Sequence, residues 1–425
     1  MWVRKRIDIR PREIVGGMFA CLHSRRRSEL LRQIEQQWRS ERTLVCLSVR
    51  SGFELLWNSV GWPEGTEILM SGMTIPHMPL IVRKNGYQPV ALDLDVRNLS
   101  VTAEQIRAKI TPRTKAIVIA HLFGGLSDLG PVIEVAREHN LMVIEDCAQA
   151  YVGQSYTGDE RADVSMFSFG AIKTNTSLCG GVFVVRNPQF LARMKQIHAT
   201  WPVQTRLSMF KRLLKYSFVK LISTYYLSGT VAFCLRCIGK DHDGLAVRLS
   251  RGFAGGDFFK RIRQQPSSAL LAIMERRFRS FDERTIVQRT KRGYSLTQAI
   301  RDSVQVLGVE MDRQTFWVLS ILVRNRDEFV ARLWDQGFDA TGSCSLQPVD
   351  LLPGTPPECA ERQTELRNIK FLLDHIVFLP FDSAMSSSEL KRLASIIVDF
   401  EPGKLALPTP PTAEVGFEES SYIPR

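Results

Sequence analysis

Between residues 141 and 185 a few polar side chains interrupt apolar runs, and their types suggest a chemistry. Leu141-Met142-Val143-Ile144 ends in Glu145-Asp146, a second run carries Ser168 between Phe167 and Phe169, and Lys173 follows four residues later. Gly180-Gly181 then leads into Val182-Phe183-Val184-Val185. A carboxylate leaving a buried strand is costly unless a cation or hydrogen bonds offset it. Most lysines are solvated surface groups, but one held beside a cofactor can lose its proton and attack a carbonyl. The pyridinium N–H of pyridoxal phosphate (PLP) would give Asp146 a partner, and its aldehyde would give Lys173 one. Ser168 and a turn at Ser51-Gly52 could then hold the phosphate.

Such groups meet only if the surrounding strands end at one edge. Leu44 to Leu47, Glu67 to Met70, Pro89 to Leu94 and Ala116 to His121 read as strands. Helical spacing separates them at Phe53 to Val60, Thr102 to Lys109 (with Thr102 as cap) and Pro131 to His139. A helix after Thr74 should be broken by Pro76 and Pro79. This alternation predicts a doubly wound, mostly parallel sheet, whose ligands sit at the carboxyl ends of the strands. A strand, a small polar turn and then a helix at Ser51-Gly52 suits a phosphate, although a plain turn fits the same residues. Beyond residue 266, one or two long helices precede a smaller α+β unit with strands at 316–323 and 376–379 and a final helix at 387–400.

Net charge is +12, yet residues 201–300 hold 19 Lys and Arg against 6 Asp and Glu, so the basicity is regional. That suits a local anionic partner, and without aromatic interleaving or a known module nucleic acid is not expected. Between Ser217 and Leu235 the sole charge is Lys220. A single span there would split the protein across a bilayer. Packed helices resting peripherally on a membrane surface, or an insert buried against protein, are the two readings. Eight scattered cysteines and an N-terminus without an apolar h-region imply a reduced, cytoplasmic protein. Cys234 and Cys237 form a lone C-x-x-C, and no metal is expected.

The segments HLFGGLSDL, VIEDCAQA, SFGAIK and GG, in that order, resemble the DegT/DnrJ/EryC1/StrS sugar aminotransferases. ITPRTKAIVIAHLFG and FLPFDSAMSSSELKRLASII are similar as well. The resemblance implies an α/β, fold-type-I PLP transferase with a large doubly wound domain and a smaller C-terminal α+β domain. It implies a homodimer acting on a nucleotide-sugar substrate, with an amino acid such as glutamate as donor. By position, Lys173 is the Schiff-base lysine and acid/base, Asp146 pairs with the pyridine nitrogen, and Gln149 lies against the ring. Ser168 and the backbone of Ser51, Gly52 and Phe53 take the phosphate. The chain divides accordingly into an N-terminal helical segment (1–44), a PLP-binding domain (45–206) and a basic insert (207–250). Interface helices with the small domain (251–402) and a disordered tail (403–425) follow.

Some family positions differ. Ile75 stands where an aromatic residue would stack on the ring, with His77 as a conceivable substitute. Arg263-Gln264-Gln265-Pro266 replaces R-M-S-N, whose Asn reaches the partner subunit's phosphate, and Leu178-Cys179 replaces a Gly-Glu pair. An H-Y-x-P-like segment is not visible at 343–348. A sugar dehydratase, which would carry another residue at 173, and a non-catalytic relative are the alternatives.

Overall fold

The computed structural model describes the chain except residues 5–6, 24, 39, 225–226, 231–256, 343–344, 350–365, 383, 402 and 409–425. Cys234, Cys237, most of the insert's second half and the end of the tail lie outside the described residues. The strands are β1 (Thr43–Cys46), β2 (Glu67–Ser71), β3 (Met73–Thr74), β4 (Gln88–Leu92), β5 (Thr114–Ala120), β6 (Gly125–Leu126) and β7 (Met142–Asp146). Next come β8 (Val164–Ser168), β9 (Gly181–Val185), β10 (Gln305–Val306), β11 (Arg313–Gln314), β12 (Leu319–Leu322), β13 (Gln347–Pro348) and β14 (Ile376–Leu379).

Seven of them form the main sheet in the order β1-β9-β8-β7-β5-β2-β4. The pairs from β4 to β8 are parallel, whereas β9 runs antiparallel to both neighbours. Residues 169–180 link β8 to β9 without a helix, whereas a parallel return is usually made through a crossover helix. The sheet is buried on both faces, so its strands are apolar throughout rather than alternating. Leu69, Ile117 and Val143 join the core on one side, while Ile68, Met70, Val118 and Ile144 join the core on the other.

The helix His77–Lys84 is intact, against the expectation that prolines break it. Pro76 is its N-cap and Pro79 its third residue, positions whose N–H has no intrahelical partner to lose. Thr102 caps its helix through Gln105 N, as expected. The region after 266 resolves into two helices, Ser268–Arg279 and Arg284–Ile300. A separate three-stranded sheet, β10-β12-β14, carries the smaller unit.

The N-terminal helices Pro11–Leu22 and Arg27–Gln37 pack on Ser268–Arg279, and the insert's helix Arg206–Ile222 packs on the first of them. Trp38, Tyr151, Phe167, Phe169 and Phe278 fill this layer, with ring centroids 4.6–6.4 Å apart.

Gly52 lies in the helix Val49–Val60 with the Phe183 ring directly where a Cβ would stand. Gly52→Ala should therefore destabilise the protein by about 1–3 kcal/mol through overpacking, read as a lower urea midpoint.

Candidate active site

Because β5, β7 and β8 are parallel, Asp146 and Ser168 arrive at the same edge of the sheet, with His121 one residue past β5. Asp146 Oδ1 accepts the Ala148 N–H at 2.9 Å. Burial holds this carboxyl above its usual range, while the Ala148 N–H and the charge of Lys173 act the other way. A carboxylate in that condition is suited to a further cationic donor. Gly170 lies between Ser168 and Lys173: a Cβ there would lie 3.7 Å from Ser168 Oγ and 3.9 Å from Lys173 Cγ. The missing side chain thus brings the serine and the lysine around one open position.

Lys173 Nζ sits 4.3 Å from the centre of the Trp317 ring. Trp317 Nε1–H in turn donates to Ile172 O at 3.1 Å. The tryptophan reaches this edge because β11 pairs with β6 and Thr315 bonds the Gly124 carbonyl. A Cβ at Gly124 (φ +93) would lie 2.6 Å from Trp317 N, so only glycine admits the close approach. Gln149 Oε1 accepts the Phe123 N–H at 3.0 Å, which ties the same loop to the site.

The helix starts four residues earlier than the sequence reading placed it. Ser48 is the N-cap and the helix begins at Val49. Ser51 N is taken by Ser48 Oγ, Gly52 N by Ser48 O, and Phe53 is fully buried inside the helix. Val49 and Arg50 are the first residues of this helix, whose N-terminus suits an anion. Arg50 is desolvated enough for burial to lower its pKa, and it lies by Cys179. A bridge from Ser48 to Gly180 sets this mouth against the loop that follows Ser168.

Sequence reasoning missed the network behind Asp146. Glu145 is fully buried and accepts from His121 Nε2 (2.9 Å), Tyr156 Oη, Ser165 Oγ and Asp159 N (3.0 Å). His121 Nδ1 accepts the Ser127 N–H, which leaves Nε2–H as the donor to Glu145. Burial alone would raise the Glu145 pKa, but the hydrogen bonds from His121, Ser165 and Tyr156 win and bring it to about 2. His121, Glu145 and Cys147 are close enough to suggest a metal, but four donors already occupy the carboxylate. The readable signal was an acid one residue before Asp146, and so on the opposite face of the strand.

The departures from the family pattern have local answers. Pro266 O and Gln265 Oε1 both accept from Arg27, at 3.1 and 2.9 Å. His77 does not stand free to face a ligand ring: it stacks on Phe258 with centroids 4.3 Å apart. Ile75 packs against the cores on both sides of the sheet. Gln347-Pro348 pairs with Met73-Thr74, bringing part of the small unit beside Thr74.

Fold and site together define an α/β protein of the architecture that sugar aminotransferases adopt. It resembles an aminotransferase, TlmJ from Streptoalloteichus hindustanus, with a TM-score of 0.67 at 18% identity over 93% of this chain and 98% of that one. A GDP-4-keto-6-deoxymannose-3-dehydratase holding GDP-perosamine is similar too, with a TM-score of 0.66 at 13% identity over 93% and 100%. Residues 24–209 match the DegT/DnrJ/EryC1/StrS aminotransferase family. A GDP-perosamine synthase from Caulobacter vibrioides is 36% identical over 155 residues, 36% of this chain and 42% of that protein. The match therefore spans less than half the length of that relative.

Glu145→Gln should cost about 2–3 kcal/mol at neutral pH, since an amide cannot accept from all four donors. The depressed pKa makes the carboxylate's contribution complete above the ordinary value of 4.5 and lost as pH falls toward 2. Thermal melts between pH 7 and 3 should show this acid sensitivity in the wild type and less of it in the variant.

Proposed function

We propose that this chain is a PLP-dependent aminotransferase that converts a keto-sugar, carried on a nucleotide, into an amino-sugar, with an amino acid such as glutamate as donor. The observation that carries the reading is that Asp146 and Ser168 end at one strand edge, with the charge of Lys173 acting on Asp146. The family of residues 24–209 and the named activity of the GDP-perosamine synthase support the substrate class.

The residues fit the cofactor in three respects. Asp146, pushed up by burial, gains from a pyridinium N–H. Ser168 Oγ and Lys173 Cγ flank Gly170, 3.7 and 3.9 Å from where a Cβ there would stand. The N-terminus of the helix Val49–Val60, with the Arg50 guanidinium, suits a phosphate. When bound, PLP supplies an aldehyde for the lysine and a ring that takes up electron density from the substrate's reacting carbon.

Asp146 would then hold the ring nitrogen's proton, and the strand end would hold Asp146. Lys173 Nζ would carry the proton to and from the reacting carbon. Trp317 would cover the lysine and keep water from it. The basic residues of 201–300 lend an anionic substrate a favourable field. A dehydratase reading is less well supported, because the lysine expected of a transaminase is present at 173. Homodimerisation belongs to this proposal as well. It agrees with the family pattern, although Arg27 fills within one chain part of the contact that a partner would make.

Wild-type protein mixed with PLP should give a visible absorbance band that glutamate alters, and Lys173→Ala should lack that band. A wild type that stays colourless in excess PLP would instead support a non-catalytic relative. Arg50→Met should weaken PLP binding about tenfold or more, the loss of a charge-assisted hydrogen bond, as read by spectrophotometric titration. Asp146→Asn should shift the band while leaving the fold intact.

A further inference from the structure

The helix Arg206–Ile222 buries Met209, Leu213 and Tyr216, yet its outer side is apolar as well. Leu207, Leu214, Phe218 and Leu221 recur at helical spacing and are 49–61% exposed. The helix Pro11–Leu22 lies antiparallel beside it. Arg206 bonds the Leu22 carbonyl at one end and Lys220 bonds the Ile7 carbonyl at the other. Gly17 permits the approach, since a Cβ there would lie 3.1 Å from Leu213 Cδ2. This neighbour presents its own stripe, Val15, Phe19 and Leu22, 50–67% exposed. The two stripes form one outward apolar face, larger than the isolated surface hydrophobes common on soluble proteins.

Its border is cationic. The helix Arg206–Ile222 carries five Lys and Arg and no acid, and residues 201–240 contain no Asp or Glu at all. Lys211 is exposed at one margin, and Arg12, Arg25 and Arg26 are exposed along the neighbouring segment. A second copy seated face to face would set like charges against each other, so the charge pattern disfavours self-pairing. Among the described residues no helix is long and apolar enough to cross a membrane.

We propose that this two-helix face docks on an anionic phospholipid surface, with the leucines and phenylalanines entering the headgroup boundary and the Lys and Arg residues meeting the lipid phosphates. The inference does not rest on the cofactor reading. It would hold the enzyme where lipid-anchored saccharides are assembled, without a spanning segment.

The test is co-flotation of the full-length protein with vesicles of phosphatidylcholine alone or mixed with phosphatidylglycerol, at low and high salt. Wild type should float with the anionic vesicles only, and less so in high salt. The double variants Leu214→Gln/Phe218→Gln and Lys211→Glu/Lys215→Glu should each bind at least about tenfold more weakly, with unchanged melting temperatures. Wild type left in the soluble fraction with both vesicle types overturns the proposal. So does a Leu214→Gln/Phe218→Gln variant that turns a dimer into a monomer in sedimentation while vesicle binding is absent, because the face is then a subunit contact.

Discussion

Two consecutive carboxylates at the end of a strand buried on both faces must each find donors, and the rest of the site is arranged by how they do so. Successive strand residues point to opposite faces, so Glu145 and Asp146 cannot share partners. Glu145 turns toward His121, Tyr156, Ser165 and the backbone of Asp159, and it is satisfied there. Asp146 turns toward the open edge, where one backbone N–H and the charge of Lys173 leave it short of full compensation. One acid fixes the sheet edge, and the other faces the open edge with its burial incompletely offset.

The strands were legible because burial on both faces leaves runs of apolar residues whose ends are visible in sequence. The helix after β1 was misplaced for a physical reason. Ser51-Gly52 has the composition of a turn, yet Gly52 is small to make room for Phe183, and the capping serine is Ser48, three residues earlier. Composition cannot separate a glycine needed for φ from one needed for close packing. The Glu145 network was hidden for a related reason, since its members come from positions 121, 145, 156 and 165 and meet only once β5, β7 and β8 are paired. The apolar stripe of the first helix was masked in sequence by its charged flanks, and it becomes a face only beside the insert.

Where the chain departs from the family pattern it resembles, contacts are made from within. Arg27 takes the carbonyl of Pro266 at the position of the family's asparagine, and His77 spends its ring on Phe258. The small unit reaches the lysine by a different route. Thr315 on Gly124 and Trp317 on Ile172 lock it to the loops after β5 and β8, so the small unit supplies the cover over Lys173.

The packing of the N-terminal helices on Ser268–Arg279 has a consequence for how the protein is made. Arg277 holds Glu13 and Asp8, more than 260 residues away in sequence, and Trp2 bonds Gly337. These helices therefore complete their native packing only after Ser268–Arg279 has followed them out of the ribosome. During synthesis they expose Leu30, Ile34 and Trp38 to solvent and to other chains, which is the condition under which large proteins misassemble or engage chaperones. Closing contacts of such long range makes folding slow for topological reasons, however favourable the finished core.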